Sequence, residues 1–404
     1  MMRLRVLAVL VIAALIEGVA RLGLLALEAR GMGYRAIPDT LPAPHKAALA
    51  SLLAGTTRYF DYDSTLGWAL HPLGDQPPHY HTNAQGFRAE REYAPDPPPG
   101  HLRIAAFGDS FTHGDDVPFE DAWTTRLERP GVEVLNFGVP GYGLDQALLR
   151  YRIEGRRYHP HVVLIGFMAE DIERSVSVYR PFYHVESHVP LSKPRFMLDH
   201  DTLVLVPNPM RSTGAYRALL DSPAAVLPRL GRLDYYYRTQ EHTGPLDVLG
   251  SVRLAKLAWH ALRQVNGPLR GNDFNVHSEA FAVTVATLKT FVREVRADGA
   301  APVILLFPPP WDLKRYWRDG TRSYDALRAA LDRAELPYLD LVEAFDGCRG
   351  RARPQALAPH HYSALGNAQV AAHLAARVDR TGIRTRPAPV PPTGCDSMIS
   401  AVGH

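Results

Sequence analysis

Five short apolar runs, alternating with helical stretches, constrain this chain more than any other feature. They are Leu102-Arg-Ile-Ala-Ala-Phe107, Val132-Glu-Val-Leu135, Val162-Val-Leu-Ile165, Pro302-Val-Ile-Leu-Leu-Phe307 and Pro337-Tyr-Leu-Asp-Leu341. Amphipathic stretches lie at about 119–128, 143–157, 278–298, 322–334 and 364–379. Near-continuous apolar strands are buried on both faces, so the pattern predicts an α/β fold with a parallel sheet and helices on either side. Sheets of this kind place their sites at the carboxyl ends of strands. The first three runs end there in Gly-Asp-Ser, Asn-Phe-Gly and Gly-Phe.

The N-terminus bears on the compartment. Arg3 and Arg5 precede an unbroken apolar run from Val6 to Ile16; Glu17 and Arg21 interrupt it, and Leu22 to Leu27 resumes. The 11-residue run suits a signal peptide, whereas Val6 to Leu27 is long enough to span a bilayer core of roughly 30 Å. Glu17 and Arg21, spaced i,i+4, can neutralise each other on one helix face. No small-x-small cleavage site follows, which favours an uncleaved single-pass anchor over a cleaved signal or a buried core helix. Retention of Arg3 and Arg5 in the cytoplasm puts the rest of the chain in the periplasm. There Cys348 and Cys395 could pair or remain two free thiols. Residues 1–30 are thus expected to be the membrane segment and 31–100 a linker with small strands. The main domain is expected at 101–380, interrupted by an insertion at 172–275, with a tail at 381–404. The balance of 45 basic against 42 acidic side chains argues against a nucleic-acid partner.

Three blocks carry chemistry. Ser110 of Phe107-Gly-Asp-Ser-Phe-Thr112 stands just past a strand, exposed at the sheet rim. Asn136-Phe-Gly-Val-Pro-Gly141-Tyr-Gly follows the next strand and offers a glycine amide. His360-His-Tyr-Ser-Ala-Leu-Gly-Asn367 precedes the last amphipathic stretch. Taken in order, these blocks resemble the GDSL-type esterases, or SGNH hydrolase superfamily, over roughly 101–171 and 300–380. The resemblance implies a flavodoxin-like three-layer α/β/α sandwich. It also implies Ser110, preceded by Asp109, as nucleophile, His361 as base, and Gly141 with the Ser110 amide as oxyanion donors. The segment Asn83-Ala-Gln-Gly-Phe-Arg88 resembles one found ahead of the hydrolase domain in membrane-anchored bacterial members.

Two departures stand out. The acid expected two or three positions before the histidine is replaced by Ala358 and Pro359. That leaves a Ser–His dyad held by a carbonyl, or an acid such as Asp340 or Asp346 brought in from elsewhere. The family's Asn-Asp pair becomes Glu170-Asp171, and an ionised Glu170 cannot donate to an oxyanion. Glu170 is then protonated, turned away or a sign of altered chemistry; confinement near Phe167 and Met168 would push it toward its neutral, donating form.

The pairs His79/His81 and His159/His161 lack an evident third metal ligand and read as surface histidines. The Tyr235–Tyr237 cluster, Trp311 and Trp317 could stack on sugars or fill core. The sequence therefore points to a serine acyl esterase acting on short-chain, acetyl-type esters of an extracytoplasmic glycan, with no cofactor or metal. An O-acetyltransferase, and a non-catalytic glycan-binding or assembly protein on the same fold, are the alternatives.

Overall fold

The computed structural model describes residues 2–30, 36–37, 39–185, 187, 189–263, 266–384 and 395. Most of the expected tail therefore lies outside the described residues. A five-stranded parallel sheet forms from β1 (Leu102–Gly108), β2 (Val132–Gly138), β3 (Val162–Met168), β4 (Ala301–Phe307) and β5 (Tyr338–Asp340). Its spatial order is β2-β1-β3-β4-β5, the flavodoxin-like doubly wound arrangement. β1 and β2 pair in register from Leu102↔Val132 to Gly108↔Gly138, so both strand ends reach the same rim.

Alternation along each strand builds two cores. Ala105, Phe107, Leu135, Phe137, Ile165 and Ile304 point to one face. The helices Leu144–Ile153, Glu279–Ala297 and Asp325–Arg333 cover it. Ile104, Ala106, Leu164, Val303 and Leu305 point to the other. Trp123–Leu127, the turn Leu341–Cys348 and the helix Ala364–Arg377 cover that side.

Two of the expected helices are shorter than their apolar pattern. The stretch at 119–128 breaks at Ala122, whose ψ of 139° is extended, into a 3-10 turn and the short helix Trp123–Leu127. The stretch at 143–157 ends at Ile153 and continues as a 3-10 turn, Gly155–Tyr158. The insertion contains a hairpin, Arg195–Asp199 with Thr202–Val206, and the helices Thr213–Asp221, Pro223–Gly231, Tyr235–Thr239 and Gly250–Arg263. Tyr236 is buried there, its ring stacked on Tyr183 at 4.6 Å, so that cluster fills an interface.

Met2–Glu28 is one continuous helix, long and apolar enough to cross a membrane. Cys348 and Cys395 form a disulfide, with Cα atoms 5.5 Å apart. The segment ahead of the sheet packs on the domain. Its hairpin Phe60–Asp63/Gly67–Leu70 carries the fully buried Trp68. A two-residue pairing of Asp75–Gln76 with Tyr80–His81 follows it.

Candidate active site

Ser110 opens a single helical turn, Ser110–His113, directly after β1. Asp109 is its N-cap and accepts the Phe111 amide at 2.9 Å. The turn sits tightly against the end of β2: a Cβ on Gly138 would stand 2.3 Å from the His113 nitrogen, so glycine is required there.

The Ser110 hydroxyl meets His361 Nε2 at 2.9 Å. On the far side of the ring, His361 Nδ1 meets Asp116 Oδ2 at 2.7 Å. This fixes the roles: the ring donates Nδ1–H to the carboxylate and leaves Nε2 to accept the serine proton. His360 is exposed, its ring edge-on to that of His361 at 5.4 Å.

Asp116 was not among the acids singled out from sequence. Asp340 is instead buried against Tyr324 (2.9 Å), Arg322 (2.8 Å) and Arg328 (3.1 Å). Asp346 faces Tyr316. The acid thus follows the serine by six positions rather than preceding the histidine. Its φ of +67° is left-handed, a conformation that Asp tolerates better than most residues.

The Asn83–Arg88 segment holds that loop. Asn83 Oδ1 accepts the amides of Gln85 (3.0 Å) and Phe87 (2.9 Å), folding the segment back on itself. The buried Arg88 guanidinium then donates to the carbonyls of His113 (2.9 Å), Gly114 and Val117 (2.6 Å). The Asp116 amide donates to Tyr80 Oη at 2.7 Å. Four contacts from outside the sheet domain therefore shape one five-residue loop.

The same region orients the peptide between Pro140 and Gly141. Trp68 Nε1 donates to the Pro140 carbonyl at 3.1 Å. In a trans peptide the C=O and the following N–H point opposite ways, so the Gly141 N–H is turned away from Trp68. Gly141 (φ +82°) and Ser110 line one cavity of about 940 Å³, together with Tyr80, Asp115, Arg180 and Trp311.

Glu170 departs from the sequence expectation. Burial pushes its carboxyl up, but Arg174 and Arg180 outweigh that and hold it at about 2. Its oxygens take Arg180 Nη2 at 2.7 Å, Arg174 Nη2 at 3.1 Å and the Tyr183 hydroxyl at 3.2 Å. It is a carboxylate and cannot donate to an oxyanion. Asp109 and Asp171 also converge on Arg174, whose Nη1 stands 2.9 and 3.0 Å from them and 2.6 Å from the Tyr142 carbonyl. Burial raises the Asp171 carboxyl despite Arg174, and nearby Asp109 adds to the rise. Both aspartates anchor the Arg174 hub.

A second relay, not foreseen from sequence, runs beside the first. Tyr59 Oη and His113 Nε2 lie 2.5 Å apart, and His113 Nδ1 is 2.5 Å from Asp115 Oδ1. Burial drives His113 well below its usual range, so it is neutral and donates to Asp115. Burial also pushes Asp115 up to about 7, against the pull of His361 and Arg88. Of the histidine pairs, His159 bonds Asp96, His161 accepts the Arg103 amide, and His81 packs on Phe119.

No family model matches this chain, and no curated protein does. Among solved structures it is similar to a lipolytic protein of the G-D-S-L family from Desulfitobacterium hafniense DCB-2. That alignment has 12% identity, covers 68% of this chain and 98% of that one, and gives a TM-score of 0.31. A member of the lipolytic protein G-D-S-L family from Veillonella parvula DSM 2008 aligns at 13% identity over 67% and 94% of the two chains, TM-score 0.31. A two-domain esterase active on acetylated mannans aligns at 13% identity over 72% and 53%, TM-score 0.32.

Two outcomes follow from this geometry. Because the Asp115 carboxyl lies above its usual value, the folded state binds that proton more tightly than the unfolded chain. The associated stability is present below about pH 4 and is lost as pH rises to about 7. Asp115→Asn keeps an acceptor for His113 and removes the titration. Thermal unfolding at about pH 4.5 and pH 8 should show a smaller loss in the variant, by on the order of 2 kcal/mol; equal losses would refute the assignment. Arg88→Lys keeps the charge but cannot reach three carbonyls with one planar fork. Its kcat on a chromogenic ester should fall about 100-fold with KM little changed, since the loop would shift the acid by a fraction of its contact distance.

Proposed function

We propose that this chain is a serine acyl esterase of the SGNH type, and that Asp116 completes its triad. The Ser110–His361–Asp116 chain of short hydrogen bonds at the cavity wall is the observation that carries the reading. Ser110 Oγ attacks the ester carbonyl while His361 Nε2 takes its proton. Asp116 holds the ring and stabilises the imidazolium that forms. The Gly141 and Ser110 amides receive the oxyanion. His361 then returns the proton to the departing alcohol, leaving an acyl-enzyme. Water attacks that ester with His361 again as base, and the carboxylic acid leaves.

The donor that the family's Asn supplies comes here from Arg180. Its Nη1 lies only 3.6 Å from where a Gly141 Cβ would stand, and Glu170 holds its other nitrogen. A cation there stabilises the alkoxide more strongly than a neutral amide, and the carboxylate of Glu170 limits how far the guanidinium can move.

The acyl group is short and the alcohol is a glycan, located outside the cytoplasm. A cavity of about 940 Å³ is far larger than an acetyl group, which leaves ring-sized room for the alcohol portion. Trp311, 58% exposed at its wall, offers a face on which sugar C–H groups pack. The disulfide and the apolar N-terminal helix support an oxidising, extracytoplasmic site.

A serine-reactive fluorophosphonate should label the full-length chain and not its Ser110→Ala variant; failure to label the parent chain would refute the reading. Incubating an acetyl donor with and without oligosaccharide tests the outcome at the acyl-enzyme. Release of acetate without acceptor supports the esterase, whereas product formed only with acceptor would reassign the chain as a transferase. Asp116→Asn should lower kcat by about 10³- to 10⁴-fold, as expected when the base loses its orienting acid. Arg180→Ala should lower kcat about 10²- to 10³-fold, with partial recovery in Arg180→Lys; an unchanged kcat would remove Arg180 from the oxyanion hole.

A further inference from the structure

The N-terminal helix carries two charges in an apolar surface, and the structure gives both a partner in the insertion. Glu17 Oε1 accepts the Gly250 amide at 2.5 Å, and Oε2 accepts the Ser251 amide and hydroxyl, each at 3.0 Å. One carboxylate therefore caps the first turn of the helix Gly250–Arg263, 233 residues further along the chain. Arg21 Nε donates to Glu17 Oε1 at 2.8 Å, and its Nη2 donates to the Val248 carbonyl at 3.2 Å. One turn on, Gly23 faces Leu254: a Cβ there would lie 3.9 Å from Leu254 Cδ2. Contacts advance in the same direction on both helices, so the two run side by side. The insertion helix begins beside the middle of the N-terminal one. Charges inside an apolar span persist when each is satisfied by a packed partner, and this seam does that for both.

What the seam leaves uncovered is mostly apolar; of the charges there, Asp247 pairs with Lys256 at 2.7 Å and the exposed Arg253 donates to the Asp247 carbonyl. Leu246 and Val248, in the turn Pro245–Val248, are 62% and 69% exposed, and Leu249 and Trp259 are exposed as well. Ala255 and Ala258 share the open face of the helix with Trp259. The N-terminal helix beside them exposes Val6 through Ile16 and again Val19, Leu22 and Leu25. Glu17 lies about 22 Å along that helix from Met2, within a hydrocarbon core of roughly 30 Å that starts near its first turn. The turn that Glu17 and Arg21 hold must sit at the same depth.

We propose that the Pro245–Leu249 turn and the Ala255–Trp259 face enter the lipid bilayer beside the N-terminal helix, as a second contact that does not span it. The proposal rests on that helix being retained as a membrane span. The occupant is lipid because the acyl chains that surround the N-terminal helix at Glu17 also meet the turn that Glu17 caps. Trp259 lies two turns from that cap, toward the hydrolase domain, where indole rings favour the headgroup boundary.

The test uses the full-length chain reconstituted in phosphatidylcholine vesicles, with and without bromine on the acyl chains. Flotation of the protein with vesicles reads the span; bromine quenching of tryptophan emission reads the second contact. The expected result is flotation with quenching, and loss of that quenching in Trp259→Phe with ester hydrolysis unchanged. Val248→Asp should still float while Trp259 loses its quenching, because a second carboxylate, lacking the Lys256 partner that Asp247 has, draws the turn out of the acyl region. Flotation with equal quenching in the parent chain and Trp259→Phe would overturn the second contact and leave the span standing. Failure to float would overturn both. An unquenched Trp259 in a crosslinked dimer would assign this face to a second copy of the chain and overturn the lipid assignment.

Discussion

The site depends on the loop from His113 to Val117 keeping one shape. Asp116 follows Ser110 by six residues and so cannot ride on the segment that carries His361. It must be brought to His361 Nδ1 by backbone that is neither strand nor helix, and Asp116 adopts a left-handed φ to get there. Unsupported loops of this kind open at little cost, because few buried contacts hold them. Arg88 supplies the missing contacts by tying three loop carbonyls to one buried fork. Burying a guanidinium costs free energy unless its donors are matched, so the clamp works only in the closed loop. The segment ahead of the sheet, through Trp68, Tyr80 and Arg88, thus sets both the Asp116 loop and the Pro140–Gly141 peptide.

Charge balance around Arg174 lets Glu170 and Asp171 sit beside the cavity without filling it with uncompensated charge. Asp109, Asp171 and Glu170 all pair with that one cation. Three carboxylates on one guanidinium would leave excess negative charge beside the cavity. Arg180 offsets one charge by taking Glu170, and burial shifts the Asp171 carboxyl toward its neutral form. Arg180 then stands as the cation beside Gly141, its Nη1 3.6 Å from where a Cβ there would lie.

The sheet was legible because Val, Ile and Leu runs are buried on both faces, and each observed strand contains most of its predicted run. Their ends were less so: β2 continues through Asn136 and Gly138 and β3 through Gly166 and Met168, where glycine reads as a turn but pairs in register. Ser110 and His361 were legible because strand ends and the start of the last helix are the places such chemistry requires. Asp116 was not, since Gly-Asp-Asp-Val has no period and its position depends on Arg88, folded in from another segment. Glu170 was misread for a related reason. Phe167 and Met168 suggested an apolar setting, but Arg180 folds back from beyond the first turn of the insertion. Two guanidinium groups within 3.1 Å outweigh desolvation.

The insertion at 172–275 joins two parts of the molecule that a simple tether would leave independent. Its first residues, including Arg180 and His184, wall the cavity. Its later residues pair with the linker, where the Ile37 amide bonds the Glu241 carbonyl and the Thr243 amide bonds the Ile37 carbonyl. Its last helix is capped by Glu17 of the N-terminal helix. A chain anchored by a flexible linker alone would present its cavity in every orientation. Fixing the same insertion at the cavity wall, the linker and the N-terminal helix restricts that freedom, so the opening beside Ser110 keeps a defined direction relative to the helix axis. For any ligand that is itself confined near a surface, such restriction replaces a search over orientations with a fixed approach, and the entropy of alignment is removed before the ligand enters the cavity.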